Sequence, residues 1–231
     1  MANSTNNTKP NPLLELTINL IIPSLILMNL SDPEDLGPIR ALLLALAFPL
    51  FWGTRDLIGK GKINPIATLG LISVLLTGGI GILHLDVQWL AIKEAAIPGL
   101  IGVAVAISAL TRYPLVRVVL FTPALMNVEL IQTNLAERGN TAAFETRLKI
   151  ATWMLAGSFF FSSVMNYILA VWIVTSPAGT PAFNEELGRL TLLSYPMIAL
   201  PATVLMMAAL YYLSRAIREL AGLKFTDVLN H

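Results

Sequence analysis

Cysteine is absent from the 231 residues, which excludes disulfides, thiol nucleophiles and Cys-ligated metal centres. Histidine occurs only at His84 and His231, too sparsely for a His-rich metal site. No His-Glu-x-x-His, Gly-x-Ser-x-Gly or phosphate-loop pattern is present, so zinc-hydrolase, serine-hydrolase and phosphate-cradling chemistries have no anchor in the sequence. Gly78-Gly79-Ile80-Gly81 lies inside an apolar run, where it reads as close helix packing and not as a strand-to-helix loop. Charge is scarce as well. Charged residues make up 13% of the chain, against about 25% in ordinary soluble domains. The net charge of +1 leaves no basic face for nucleic acid.

What the chain has in quantity is apolar sequence: 55% hydrophobic residues and a mean hydropathy of +0.71. A bilayer core about 30 Å thick needs about 20 helical residues to cross. The apolar runs predict an all-α integral membrane protein, a bundle of six transmembrane helices with one cytoplasmic amphipathic helix. The spans fall at 13–30, 37–53, 65–83, 89–110, 150–174 and 190–213. The first is short and interrupted by Pro23. A five-span alternative makes 13–30 re-entrant or interfacial. Residues 1–12 form a polar tail without the basic-then-apolar order of a signal peptide, and 13–231 read as one transmembrane helical domain.

The cations set the orientation. Of the 15 Lys and Arg residues, Lys9, Arg55, Lys60, Lys62, Arg112, Arg117, Arg138, Arg147, Lys149, Arg215, Arg218 and Lys224 fall in the tail or in alternate loops. Cations resist translocation, so these loops and both termini are placed in the cytoplasm. Arg40, Lys93 and Arg189 lie near the opposite span ends. The aromatics agree: Trp52, Tyr113, Trp153, Tyr211 and Tyr212 mark inner ends, and Trp89 and Trp172 mark outer ends. Between spans four and five, Thr122-Pro123 reads as an N-cap and first-turn proline. Val128, Ile131 and Leu135 form an apolar stripe, and Gly139-Asn140 ends the helix, giving an amphipathic helix over 123–138. Such a helix lies on the membrane surface or binds a partner.

Polar residues within spans are the candidates for function. Lys93 and Glu94 sit one turn inside span four, just before Pro98. Lys93 reads as snorkelling to the outer surface, as one half of a buried ion pair, or as a ligand or proton site. Asp86, Glu94, Arg189, Glu185 and Glu186 gather at the same end, and Lys93 and Arg189 are expected to approach one outer cavity. Glu15 and Asn19 share a face four residues apart, and Pro23 frees the Asn19 carbonyl. This is an interrupted-helix arrangement of the kind used by transporters, or else a solvated interfacial Glu. Ser158, Ser162 and Asn166 on span five, and Ser73, Thr77, Gly81 and His84 on span three, form weakly polar stripes that suit helix contacts or a polar pathway. Pro196 and Pro201 are expected to bend span six.

The order of several pieces resembles the bacterial inner-membrane septation protein A (YciB) family. These pieces are Gly78-Gly79 followed by the His84–Asp86 turn, Trp89 and Lys93, Pro114-Leu115-Val116-Arg117, Trp153, and Asn166-Tyr167-Ile168 with Ala170. The chain is longer than that family through its inner segment 118–148 and its loop 175–188, as a divergent branch would be. The resemblance implies a non-enzymatic role in envelope integrity or septation through contacts with other inner-membrane proteins, without catalytic residues or a cofactor. A small transporter or channel for an ion, lipid or solute is the alternative that the intramembrane charges keep open. The lipid bilayer is the partner common to both.

Overall fold

The computed structural model describes residues 17–59, 65–111, 114–120 and 126–228. Glu15, Lys60, Lys62, Arg112, Thr122-Pro123 and His231 lie outside the described residues, as do the side chains of Asn19, Trp52 and Arg55. Among the described residues the chain is helical throughout, with no strand. The helices are α1 (Ile22–Asn29), α2 (Pro38–Gly59), α3 (Pro65–Ile82), α4 (Gln88–Leu110), α5 (Leu115–Leu120), α6 (Val128–Glu137), α7 (Thr141–Ile173), α8 (Pro181–Ser194) and α9 (Leu200–Ala221). Proline opens α2, α3 and α8, where its missing N–H costs nothing and its fixed φ suits the helix.

Three runs are long and apolar enough to cross a membrane: Gln88–Leu110, Thr141–Ile173 and Pro181–Ala221. Only 22%, 22% and 17% of their apolar windows are buried within the protein, so most of that surface faces outward, as lipid contact requires. α2 and α3 contain shorter apolar stretches, Pro38–Phe51 and Thr68–Ile82. The described part of 13–30 is a five-residue π-helical turn, Thr17–Ile21, followed by the eight-residue α1.

Pro23 and Pro201 interrupt their helices in the same way. Each is the second residue of an α-helix that follows a π-helical turn, Thr17–Ile21 in one case and Tyr195–Ala199 in the other. A proline cannot donate to the carbonyl four residues back and its ring crowds that carbonyl; widening the preceding turn relieves both problems. The expected bend in span six therefore takes the form of a π turn containing Pro196. Pro49 and Pro98 lie within α2 and α4.

Several boundaries differ from expectation. α2 runs on to Gly59, past the expected end at 53, and α8 starts at Pro181, inside the expected loop 175–188, because Thr180 caps it and Pro181 opens its first turn. α6 begins at Val128, after a non-helical Met126 and Asn127; the Asn127 side chain accepts the Leu130 N–H at 3.0 Å and caps the helix. Its end is as expected: Gly139, at φ 67°, follows the Arg138 cap. The Gly139 N–H donates to Ala136 O at 3.0 Å and the Asn140 N–H to Leu135 O at 2.9 Å, which closes the helix in a Schellman turn. α7 is longer than its span, because no Gly or Pro breaks the helix between Thr141 and the apolar stretch that begins near residue 150.

The chain forms two compact units. The first comprises residues up to Lys93 together with 167–195; the second comprises 94–166 together with 196–231. In the first unit α1 packs on α8 and on α2, and α2 packs on α3. Close approach there depends on missing side chains. A Cβ on Gly188 would lie 2.9 Å from Ser24 O, and one on Gly81 would lie within Leu42. In the second unit, Val116, Ile131, Leu135, Phe144, Leu148, Leu213, Ile217 and Val228 form one buried cluster. Asn127 N–H donates to Val228 O at 2.8 Å across that cluster.

Candidate functional site

Lys93 stands one turn into α4 and is only 9% exposed. Its ammonium donates to Thr77 Oγ1 at 2.7 Å and to Ser73 Oγ at 3.2 Å, both on α3. These residues are four apart and so share one helix face. Thr77 in turn donates to Ser73 O at 3.0 Å. The weakly polar stripe on α3 thus receives a cation from α4. The side chain is turned into the unit toward hydroxyls; it does not extend to the outer surface. An ammonium donates up to three hydrogen bonds, and here two of them are fixed by neutral acceptors.

The other expected members of the outer cluster take separate partners. Asp86 is exposed and accepts the Gln88 N–H at 2.8 Å, which caps the start of α4. Arg189 pairs at 2.5 Å with Glu185, four residues earlier on α8, and both are well exposed. Glu186 turns the other way. It accepts the Thr175 N–H at 2.9 Å and the Ser176 N–H at 2.8 Å, together with both hydroxyls. Burial raises this carboxyl, but the hydrogen bonds from Ser176 and Thr175 outweigh it and hold the group below the usual carboxylate range. Lys93 is thus held on the α3 hydroxyls, and Arg189 is held by Glu185. Glu94 belongs to the second unit. Asn166 donates to Ser162 O at 2.8 Å within α7. Glu15 and the Asn19 side chain lie outside the described residues.

Two more residues near the same end make connections that the sequence does not show: Asn184, which no sequence pattern singles out, and His84, which the sequence places on the weakly polar stripe of span three. Asn184 is fully buried; its Nδ2 donates to Pro38 O at 2.7 Å and to Ser31 Oγ at 3.0 Å, joining α8 to the turn between α1 and α2. One Asn near the start of an amphipathic helix carries no pattern, although Asn184 and Gly188 at i and i+4 mark a close-packed face. His84 adopts φ 51°, and its Nδ1 lies 2.8 Å from Ala178 O, so the ring donates there. Gly179, at φ +83°, lies against the ring, where a Cβ would come within 2.0 Å of it. The α3–α4 turn is thereby latched onto the loop before α8.

The second unit gathers its charges at the end formed by the start of α7 and the end of α9. Arg117 grips Glu145 at 2.5 Å and 3.3 Å. Arg147 donates to the Tyr212 hydroxyl at 2.9 Å, with its guanidinium carbon 5.3 Å from the ring centroid. It lies 3.8 Å from Glu219, which Arg215 holds at 2.6 Å. The hydrogen bond from Arg215 keeps the Glu219 carboxyl below its usual range. Deeper in this unit, Ser163 donates to Ala95 O at 2.8 Å, three residues before Pro98, and Ser158 donates to Ala202 O at 3.0 Å. Ser158 belongs to the α7 polar stripe and Ser163 lies beside it; both tie helices together, as small polar residues do in membranes. Among the described residues no group of His, Asp and Glu is placed to hold a metal ion. Comparison with protein-family models, curated proteins and solved structures finds no match.

Proposed function

We propose that the chain is a six-span protein of the bacterial inner membrane with cytoplasmic termini. In this reading it supports envelope integrity or septation without enzymatic chemistry, through contacts with other membrane proteins. The observation that carries the reading is the presentation of α6. Its apolar residues Ile131 and Leu135 are buried in the unit's own core, while Glu129, Gln132, Thr133, Glu137 and Arg138 are exposed. With both ends capped and the apolar face consumed, α6 offers a polar surface that needs no ordering when a partner docks. The resemblance to the septation family points in the same direction. The test is complementation in cells lacking the protein. Glu129→Lys combined with Glu137→Lys abolishes rescue while the protein remains inserted, and Lys93→Ala leaves rescue intact. Rescue by the double charge reversal at wild-type levels refutes the reading.

The second reading, a small transporter or channel, is favoured by Lys93 alone. A buried ammonium held by two hydroxyls in a span is the kind of group that relays protons or binds an anion. It predicts solute flux in liposomes that disappears with Lys93→Ala.

A further inference from the structure

The second unit contains an apolar cavity of about 140 Å³, lined by Val116, Ala151, Leu155, Met206, Ala209 and Leu213, with no polar atom in its wall. Apolar cavities of roughly this size stay dry and take up hydrocarbon. This one lies along α7 and α9, whose outward faces are largely apolar and exposed. One end of the cavity leads to charge. Arg147 is four residues before Ala151, about 6 Å along the helix axis, and its partner Tyr212 adjoins Leu213. There Arg147 and Arg215 share the single carboxylate of Glu219, which leaves one positive charge uncompensated. Arg218, exposed and three positions from Arg215, adds to it. The Arg147 side chain is 42% exposed, so N–H groups of its five-donor fork remain accessible beyond the one given to Tyr212.

Hydrocarbon at one end and surplus guanidinium one helical turn away match one ligand chemistry, an acyl chain carrying a net-negative phosphate. We propose that this unit binds one anionic phospholipid, with an acyl chain in the cavity and the phosphate at Arg147 and Arg215. This rests on the membrane-spanning part of the reading above, not on the contact function. Guanidinium binds phosphate through paired N–H donors, and Tyr212 holds the Arg147 fork in place.

The test uses the full-length protein in neutral detergent, with lipid binding read by native mass spectrometry. Dioleoyl phosphatidylglycerol is titrated against dioleoyl phosphatidylcholine. Retention of the anionic lipid is expected to be about tenfold tighter, the scale of one charge-assisted contact. Arg147→Gln removes that preference. Ala151→Phe and, as a second cavity-filling change in case the first misfolds, Leu155→Trp weaken both lipids. Lys224→Gln, which removes an exposed cation elsewhere, leaves binding unchanged. Glycerol 3-phosphate does not compete, because the chain is needed as well as the phosphate. Equal retention of the two lipids, insensitivity to folded cavity-filling variants, an equal loss with Lys224→Gln, or competition by glycerol 3-phosphate each overturns the proposal. None of these results touches the α6 complementation outcome, so the two readings fail separately.

Discussion

Gly179→Ala probes the latch between the α3–α4 turn and the loop before α8. Two effects separate cleanly there. The residue sits at φ +83°, and an L-residue in the left-handed region costs about 1–2 kcal/mol. In addition, the new Cβ would lie 2.0 Å from the His84 ring. The ring must move away, and its 2.8 Å hydrogen bond to Ala178 O is lost, a further loss of about 0.5–1.5 kcal/mol. The single variant is therefore destabilised by roughly 1.5–3.5 kcal/mol. In a His84→Ala background the ring and its bond are already gone, so the same change costs only the backbone share of about 1–2 kcal/mol. The difference, roughly 0.5–1.5 kcal/mol, is the coupling energy of a double-mutant cycle. It is measured by unfolding the four proteins in mixed micelles with increasing SDS. An identical Gly179→Ala cost in the two backgrounds would show that the ring does not rest on the glycine.

Three further outcomes follow from the same structure. Asn184→Ala removes two buried hydrogen bonds and strands Pro38 O, so the unfolding midpoint should drop by an amount equivalent to about 2–4 kcal/mol, and wild-type stability in that variant would discount the bridge. Glu186 precedes the apolar stretch that begins at Leu190, and its folded carboxyl is held below the ordinary value. Its contribution is present above the unfolded value of about 4.3 and is lost as pH falls through the lower folded value. Proteolysis of the 175–180 loop should therefore rise on acidification below about pH 4, and Glu186→Gln should remove that dependence. For topology, cysteines placed at 62, 140 and 225 should label only from the cytoplasm and those at 33, 86 and 181 only from outside; one firm reversal breaks the six-span proposal.

The helical, membrane-directed class was legible because apolar run length and loop charge are local properties. The proline interruptions were legible in position, at Pro23 and Pro201, but not in form, since whether a helix kinks or widens depends on what packs beside it. Lys93 was visible as an intramembrane cation; its hydroxyl partners were not, because Ser73 and Thr77 read equally well as packing residues. Arg147 and Tyr212 were legible only as an inner cation and an inner-belt aromatic, and their junction with Glu219 was not, for another reason. Arg147 lies 65 or more residues from the other two and on a different helix, and nothing local marks them as neighbours. α6 shows the limit of periodicity: its stripe identified the apolar face correctly, but the same stripe suits a bilayer, a partner or the chain's own core, and here Ile131 and Leu135 enter the core.

The buried cluster of the second unit has a consequence in time. It joins Val116 on α5 to Val228 in the final 3₁₀ turn, and the 2.8 Å bond from Asn127 closes on that last residue. At roughly 5–20 residues per second, Val228 is added about 6–22 s after Val116. Through that interval Ile131, Leu135 and Phe144 have been synthesised, but α9 and the closing turn have not. This unit therefore waits, with its apolar surface open, for a segment made long after α5 and α6. Biogenesis must shelter it until then, in the bilayer interface or against the insertion machinery.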